Sequence, residues 1–364
     1  MKKLAVLCAV LAGAAGAQTL TPKIDLGTNP PLTLLSADFS NSTTTARGGT
    51  YLVDVRAALA LRNSTQKKIR AVMLAVYAQE VAPGGKGSVS APSLNIAPGE
   101  AFKLNIAVSL LRPLAPANSA GPTVEVKLDG VLFDDLTFFG PDTLKSRYDM
   151  LRGEMEARRD RKYFKTLLET AGAEGLRKEM LAGLARQGDR SHPGAQMARG
   201  RSTNAEAERE MKFAFVEIPE SPVVALAGSA RVAVNEARAP RISVRNRSAL
   251  PVDHLEIGWI VRDQLGREFL AASMPADVKL EPNQSGDVRQ EAALRLQDPA
   301  AILTMTGFVS SVSFADGSLW IPSRGALAIP RLREVVPPSP EEQRLLQIYN
   351  KKGLDTLIEE LKKF

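Results

Sequence analysis

The chain has 364 residues, of which 44% are hydrophobic and 24% charged, with a formal net charge of +7 at pH 7. This length suggests more than one domain, and the apolar content is typical of globular proteins rather than of disordered or fibrous chains. Cys8 is the only cysteine, so a disulfide within the chain is excluded and stability must come from packed cores.

The first residues predict export. The chain opens "MKKLAVLCAVLAGAAGAQ", with a basic start, a short apolar run and small residues before Ala17. That order is typical of a secretory signal peptide, here residues 1–17, and cleavage after Ala17 would remove Cys8. No later segment approaches the roughly 20 continuous apolar residues of a membrane span, so we expect no integral membrane segment. The Ala- and Arg-rich composition favours a bacterial source, and the predicted location is the periplasm or the outside.

One stretch of sequence occurs twice. Leu61–Ala78 reads "LRNSTQKKIRAVMLAVYA" and Val244–Val261 reads "VRNRSALPVDHLEIGWIV". When Asn63 is aligned with Asn246, apolar residues meet apolar residues along the alternation, and each copy predicts two strands joined by a polar turn. Two later pairs of segments also correspond: Leu94–Leu104 with Val278–Val288, and Val131–Pro141 with Val312–Pro322.

Each copy offers about seven short strands separated by turns within about a hundred residues. This pattern resembles the immunoglobulin-like or fibronectin-like antiparallel β-sandwich, with Trp259 at a place that suits a core tryptophan. The predicted fold class is therefore mainly β with α appendages. It consists of two such sandwich modules, each followed by short helices.

Two hairpins close the repeated modules. Asp316-Gly317 predicts a two-residue turn, and Asp135-Leu136 occupies the equivalent place in the first copy. In that register Phe139 and Trp320 point to the outer face of the sheet. We favour packing of these rings under the following helices over contact with a ligand, because those helices need an apolar surface to cover them.

Helical patterns follow each module. After Pro141 a long proline-free stretch predicts a helix capped by Asp142 or Thr143, and a second helix runs from about Glu174 to Gln187. At the C-terminal end, Ser339 as N-cap before Pro340 and two glutamates predicts another helix. Its apolar stripe is interrupted at Gly353 and includes Leu357 and Leu361. The stripe must be covered, and we expect the helix to fold back over Trp320, with docking on another protein as the alternative.

The predicted organisation has six segments. They are a signal peptide (1–17), a first β-sandwich module (18–141), a helical segment (142–187), a flexible linker (188–211), a second β-sandwich module (212–336) and C-terminal helices (337–364). The linker is predicted from its small, polar and unpatterned residues.

The chain offers little catalytic chemistry. Its two histidines are His192, in the predicted linker, and His254, beside Asp253. A catalytic His254 would need a nucleophile, for which Ser243 and Ser248 are only guesses. The aspartates at the hairpin tips suit turn chemistry better than a calcium site. We predict no catalytic residue, no cofactor and no metal.

Charge does not define a partner either. Between Asp142 and Lys212, sixteen basic residues alternate with twelve acidic ones, which indicates solvated helix faces rather than a nucleic-acid groove. The sequence predicts an exported non-enzymatic binding or scaffold protein that acts by protein contact in a bacterial envelope assembly. Candidate partner-contact residues are Phe139, Trp320, Leu357 and Leu361. The alternatives are a carbohydrate or cell-wall binding protein, and a secreted hydrolase with dispersed carboxylates.

Overall fold

The computed structural model describes residues 20–79, 84–113, 123–188, 195–198, 208–289, 293–297 and 299–364. Among these residues the protein is mostly β-strand, with few helices and several antiparallel sheets, which confirms the mainly β prediction. The predicted signal peptide lies outside the described residues. No helix in the described part of the chain is long and apolar enough to cross a membrane.

The chain forms two compact units, Met1–Met150 and Leu151–Phe364. The strands are β1 Thr21–Asp25, β2 Leu32–Asp38, β3 Thr43–Arg47, β4 Thr50–Asn63, β5 Ile69–Tyr77, β6 Lys86–Ala91, β7 Ala101–Pro113, β8 Thr123–Phe133, β9 Phe138–Phe139, β10 Ala195–Ala198, β11 Arg209–Lys212, β12 Ala214–Phe215, β13 Val223–Ala233, β14 Glu236–Asn246, β15 Val252–Asp263, β16 Glu268–Leu280, β17 Ser285–Arg289, β18 Ala293–Leu296, β19 Ile302–Phe314 and β20 Leu319–Trp320. The helices are α1 Arg147–Gly188, α2 Arg324–Leu327, α3 Pro330–Val335 and α4 Pro340–Lys362.

The two units divide within α1 and not at the predicted linker, residues 188–211. Most of that range lies outside the described residues, but β10 falls inside it and pairs antiparallel with β18. The start of β11 also falls inside it. Pairing with a neighbouring strand needs only backbone N–H and C=O groups, so a strand can form where the side chains carry no alternating pattern.

The first unit contains two sheets that share one core. In one sheet β1, β8, β5 and β6 lie side by side, with β1 parallel to β8 and β9 pairing with the end of β8. In the other sheet β4 pairs with β7 along one edge and with β2 and β3 along the other. Alternate residues of β4, such as Val53, Val55 and Leu59, are fully buried, whereas Arg56 and Arg62 are exposed. The alternation read from the sequence thus gives a β-sandwich-like unit.

The second unit has a similar pairing order, but one of its sheets contains two further strands, β10 and β11. One sheet contains β12, β19, β15 and β16, with β12 parallel to β19 and β20 pairing with the end of β19. In the other sheet β14 pairs with β13 along one edge and with β17 and β18 along the other. Trp259 on β15 is fully buried in a core to which strands of both sheets contribute. Its predicted core position is confirmed.

A buried asparagine occupies the same place in both units. The Asn63 amide group donates to the carbonyl oxygens of Lys67, Ile96 and Ala97, at 2.8, 3.2 and 3.1 Å. Its side-chain oxygen accepts from the backbone N–H of Thr65 at 3.0 Å. Both polar ends of this fully buried side chain are therefore satisfied.

Asn246 makes the equivalent contacts in the second unit. Its amide donates to the carbonyl oxygens of Leu250, Leu280 and Glu281, at 2.8, 3.1 and 3.2 Å. Its side-chain oxygen accepts from the backbone N–H of Ser248 at 2.9 Å. In each unit one asparagine joins the turn after a strand to a segment more than thirty residues further along the chain.

The hairpins after β8 and β19 have longer turns than predicted. The Phe133 N–H donates to the Thr137 carbonyl at 3.0 Å, and the Phe314 N–H donates to the Ser318 carbonyl at 3.0 Å. Each turn therefore contains three residues instead of two. Gly317 takes a φ of 83°, the left-handed conformation that closes such a three-residue loop.

The longer turns reverse the predicted direction of two rings. Phe139 pairs with Val131, and Trp320 pairs with Val312. Both valines belong to the cores between the sheets. Because a one-residue shift exchanges the two faces of a strand, Phe139 and Trp320 lie on the core-facing side and not on the predicted outer side.

The first helix begins later than predicted, whereas the C-terminal helix begins and breaks at the predicted residues. α1 begins at Arg147, and the Asp142 carboxylate accepts the Arg147 backbone N–H at 3.0 Å. Gly172, where φ is 69°, has a non-helical backbone and divides α1 into two arms, in agreement with the two predicted helices. α4 begins as predicted, with the Ser339 hydroxyl accepting the Glu342 N–H at 3.1 Å, and it has its break at Gly353.

Candidate functional site

α4 packs against α1 through an apolar cluster. The buried members of the cluster are Phe164, Leu176, Met180, Leu345, Leu346, Leu357 and Leu361. Leu357 and Leu361, the predicted partner contacts, are 0% and 1% exposed. They are covered within this chain, so they are not available at its surface. The apolar stripe of α4 folds back onto this chain, as one of the two expectations held. It packs against α1, however, and not over Trp320.

Trp320 is covered by a different part of the chain. Its half-buried ring packs against the core of the second unit and against a cluster that contains Ala326, Leu332 and Val335 of α2 and α3. The sequence placed this segment within the sandwich module, where no helix was predicted. The expectation that the C-terminal helix covers Trp320 is therefore corrected, because the two short helices between β20 and α4 cover the ring first.

This difference has a spectroscopic consequence. In a Trp259→Phe background, we expect Leu332→Ala to shift the emission of Trp320 to the red, because it removes a side chain of the cluster that covers the ring. Leu357→Ala is the matched control, since both leucines are 0% exposed but Leu357 lies in the α1–α4 cluster. A red shift with Leu357→Ala and none with Leu332→Ala would show that the C-terminal helix shields the ring after all.

Phe139 lies beside a cavity in the first unit. The cavity has a volume of ≈ 610 Å³, and its walls include Asp25, Tyr77, Lys127 and Phe139. The Lys127 ammonium group lies 5.3 Å from the centre of the Tyr77 ring, a cation–π contact. Phe139 also packs against the core of its unit, on the side of the sheet opposite to the predicted one.

His254 and the two serines that the sequence offered each contact a different aspartate or asparagine side chain. The His254 Nδ1 lies 2.9 Å from the carboxylate of Asp277, whose side chain is 94% exposed. The Ser248 hydroxyl donates to Asn246 at 2.7 Å, and the Ser243 hydroxyl donates to Asp287 at 2.5 Å. These serines serve turn and strand structure. His192 lies outside the described residues.

The hairpin aspartates behave as turn residues. The Asp135 carboxylate accepts from the Thr137 hydroxyl at 2.6 Å and lies 2.6 Å from the Lys67 ammonium group. The hydrogen bonds from Lys67 and Thr137 hold the pKa of Asp135 at about 2. Among the described residues no group of three or more His, Cys, Asp or Glu side chains is placed to hold a metal ion.

The second unit exposes a small group of apolar side chains at one end of its sheets. Leu265 lies in the β15–β16 turn, Val234 in the β13–β14 turn, and Leu303 at the start of β19. They are 64%, 40% and 48% exposed. We call Val234, Leu265 and Leu303 the turn patch. Isolated exposed leucines are ordinary, but three on adjacent segments are of interest for protein contact.

Backbone hydrogen bonds hold the three segments of the turn patch next to one another. The Gln264 N–H donates to the Ala301 carbonyl at 2.9 Å, which joins the β15–β16 turn to the approach of β19. The Ile302 N–H donates to the Val234 carbonyl at 2.8 Å, which joins β19 to the β13–β14 turn. The patch therefore rests on a fixed backbone.

The turn that carries Leu265 is fixed by a buried carboxylate. Asp263 is 0% exposed, and one of its oxygens accepts the backbone N–H groups of Leu265 and Arg267, both at 3.0 Å. The other oxygen accepts Nε of the Arg267 guanidinium at 2.7 Å. An exposed leucine on a turn ordered in this way loses little conformational entropy when it binds a partner.

Val234 is held in an unfavourable backbone conformation. Its φ is 44°, and positive φ is rare for a β-branched residue because the side chain crowds the neighbouring backbone. Such strain costs of the order of 1–3 kcal/mol, persists only where the surrounding structure imposes it, and occurs often at functional sites. It is a second feature, independent of exposure, that marks the turn patch.

Sequence reasoning missed the turn patch. Val234 continues the apolar alternation of a strand, and Leu303 does the same at the start of β19. Neither residue therefore gave a sign in the sequence that it is exposed. Leu265 did give a signal of exposure, because it stands between Gln264 and Gly266 in an otherwise polar turn.

Comparison with protein-family models finds no match for this chain, and a search of curated proteins finds none either.

Proposed function

We propose that this chain is an exported, non-enzymatic binding or scaffold protein that contacts another protein in a bacterial envelope assembly through the turn patch. The observation that carries the proposal is the exposure of Leu265, Val234 and Leu303 on turns held by hydrogen bonds. Exposed apolar side chains on an ordered backbone are typical of protein-contact sites, where a few central residues supply most of the binding energy. The signal-like start of the sequence supports export.

Duplication of one sandwich unit is part of this proposal. It is supported by the similar pairing order of the strands and by the equivalent contacts of Asn63 and Asn246. In the immunoglobulin pattern, strands A, B, E and D form one sheet and C, F and G the other. Here β1, β5, β6 and β8 share a sheet. We therefore propose an immunoglobulin-like sandwich in the broad sense of two packed antiparallel sheets, with its own strand order.

The test is photo-crosslinking in cells that produce the protein naturally. A photoreactive amino acid replaces Leu265 in one variant and Leu250 in another. Leu250 is the matched control, because it is also an exposed leucine, at 41%, but lies in the β14–β15 turn at the opposite end of the strands. We expect a protein adduct from position 265 and none from position 250.

The outcomes separate the possibilities. An adduct with a different envelope protein at position 265, lost on Val234→Asp substitution, supports the proposal. An adduct between two copies of this chain would make the turn patch a self-association surface and would remove the need for another partner. Equal adducts at both positions, or none at either, would contradict the turn patch as the contact site.

A further inference from the structure

A second site lies among the helices of the second unit. A cavity of ≈ 440 Å³ is bounded by three segments: both arms of α1, the α2–α3 segment, and the start of α4. The kink at Gly172 divides α1, so that Tyr163 before it and Arg186 after it line the same space. Gly183 allows the second arm to approach α4 closely, since a Cβ there would lie 2.9 Å from the side chain of Leu346. A cavity of this size suits a small organic ligand.

Two arginines of the cavity wall use their guanidinium groups in ion pairs and hydrogen bonds within the protein. The Arg159 guanidinium makes a two-point contact with the Asp160 carboxylate, at 2.8 and 3.1 Å, and donates to the Pro322 carbonyl at 3.2 Å. The Arg324 guanidinium donates to Glu342 at 2.8 Å and to Asp160 at 3.4 Å. Because these contacts use most of their donors, Arg159 and Arg324 mainly hold the wall together.

Arg186 differs from them. One nitrogen, Nη2, donates to Glu179 at 3.0 Å and lies 4.0 Å from Glu342. Its Nε and Nη1 donate to no group among the described residues, although the side chain is only 24% exposed. A guanidinium has five N–H donors, so most of those of Arg186 remain for a ligand while Glu179 fixes its direction.

The Tyr163 hydroxyl is the second such group. Its ring is held by the Arg324 guanidinium, 4.8 Å from the ring centre, but its hydroxyl makes no hydrogen bond with any residue that the structure describes. Burial, and then the charge of Glu179, raise the pKa of Tyr163 above its ordinary value, so the hydroxyl stays protonated and can donate.

The remaining walls indicate which kind of ligand fits. The charged lining residues are Arg159, Arg186, Arg324, Arg333, Glu179 and Glu342. Asp160 lies behind Arg159 and Arg324, and with it the net charge around the cavity is still positive, at +1. The apolar part of the lining is formed mainly by Leu327, Val336 and Pro337. A cationic or fully apolar ligand would match only one of these walls, whereas an anion with an apolar body matches both.

We infer that this cavity binds a small organic anion, whose carboxylate or phosphate group is held by Arg186 and Tyr163 while its apolar body lies against Leu327 and Val336. Guanidinium groups bind planar carboxylates and phosphates through paired N–H donors, and such charge-assisted bonds are stronger than neutral ones. The site is distinct from the turn patch, so this inference does not depend on the proposed protein contact.

Calorimetric titration of the full chain with three related probes tests the inference. Benzoate carries a carboxylate, phenyl phosphate carries a phosphate, and benzamide is the neutral control with the same ring. We expect at least one anion to bind at millimolar concentration and benzamide not to bind. The anion that binds more tightly identifies the preferred head group, and added salt should weaken its binding.

Three variants assign the binding to this cavity. Arg186→Gln should weaken anion binding by about tenfold or more, as expected for the loss of a charged hydrogen-bond partner. Tyr163→Phe should weaken it less and keeps the ring under Arg324. Arg177→Gln is the matched control, because Arg177 lies on the same arm of α1 with a side chain that is 56% exposed and does not line the cavity.

The inference is overturned if neither anion binds, if benzamide binds as well as the anions, or if Arg186→Gln and Arg177→Gln have the same effect. Thermal unfolding of each variant shows whether the fold is kept. If Arg186→Gln unfolds the protein, Arg186→Lys provides the comparison. It keeps the charge but loses the paired donors, so binding equal to that of the unmodified chain would also contradict the inference.

Discussion

Replacement of Asp160 by alanine is expected to lower the free energy of unfolding by about 3 to 5 kcal/mol, the range found when one partner of a buried ion pair is removed. Asp160 lies on α1 and is 0% exposed. Its carboxylate accepts from the guanidinium groups of Arg159 and Arg324 and from the Ser339 hydroxyl, the last at 2.6 Å. Ser339 is the N-cap of α4, so one carboxylate joins α1, the α2–α3 segment and α4.

The loss is large because the arginines would keep their charges without this partner. Arg159 and Arg324 have side chains that are only 14% and 22% exposed, so water would replace the carboxylate poorly. Burial lowers the pKa of Arg324, but the hydrogen bond and the charge of Glu342, with the charge of Asp160, outweigh it and raise the pKa above its ordinary value. Arg324 therefore stays charged in the variant.

Denaturant unfolding followed by circular dichroism measures this effect. Asp160→Asn retains the shape of the side chain and separates the loss of charge from the loss of packing. Glu174→Ala is the control for an ion pair at the surface, since the Glu174 side chain is 84% exposed beside Arg177 and such pairs contribute less than about 1 kcal/mol. Equal, small losses for Asp160→Ala and Glu174→Ala would contradict the structural role of Asp160.

Asn246→Ala is expected to destabilise the second unit by about 2 to 4 kcal/mol, because it leaves several buried polar groups without a partner. The amide group of Asn246 donates to the carbonyl oxygens of Leu250, Leu280 and Glu281. Its side-chain oxygen accepts the backbone N–H of Ser248. Alanine fills less space and offers none of these bonds. Asn246→Asp should be no better, since a carboxylate oxygen would face carbonyl oxygens in place of the amide N–H groups.

The same substitution at Asn63 provides an internal comparison. Asn63 is also 0% exposed and makes three equivalent carbonyl contacts, so Asn63→Ala should destabilise the first unit by a similar amount. Asn105→Ala is the control, because Asn105 is exposed on β7 of the same unit. Hydrogen exchange followed by mass spectrometry assigns each loss to its unit. If Asn63→Ala and Asn246→Ala lower the free energy of unfolding no more than Asn105→Ala does, the structural role given to the buried asparagines is wrong.

The sequence predicted the strands and the cores well where alternation was strong. β4 is buried on the residues that period two selects, whereas β15 is buried on nearly every residue, and Trp259 lies in the core. The N-cap at Ser339 and the break at Gly353 were also readable, because capping and left-handed backbone depend on one or two residues. Local chemistry determines such features, and it is present in the sequence itself.

The turns and the candidate sites could not be predicted in this way. A third residue in the turns after β8 and β19 shifts the pairing of Phe139 and Trp320 by one, and turn length is set by the hydrogen bonds that the finished hairpin can make. β10 gave no signal, because its pairing with β18 uses the backbone alone. The turn patch joins Val234 and Leu303, which are far apart in sequence and look like ordinary strand residues.

The sequence by itself determined that this protein is mainly β, with buried faces on alternating residues and helices that carry an apolar stripe. Only the tertiary structure decided what covers each stripe. The sequence left open whether Leu357 and Leu361 contact a partner or this chain, and it is α1, kinked at Gly172, that covers them. The physical reason is that apolar burial has no direction, so a pattern shows that a face must be covered but not by what. The same holds for Asp160 and Arg186, whose roles depend on charged groups brought together from distant parts of the chain.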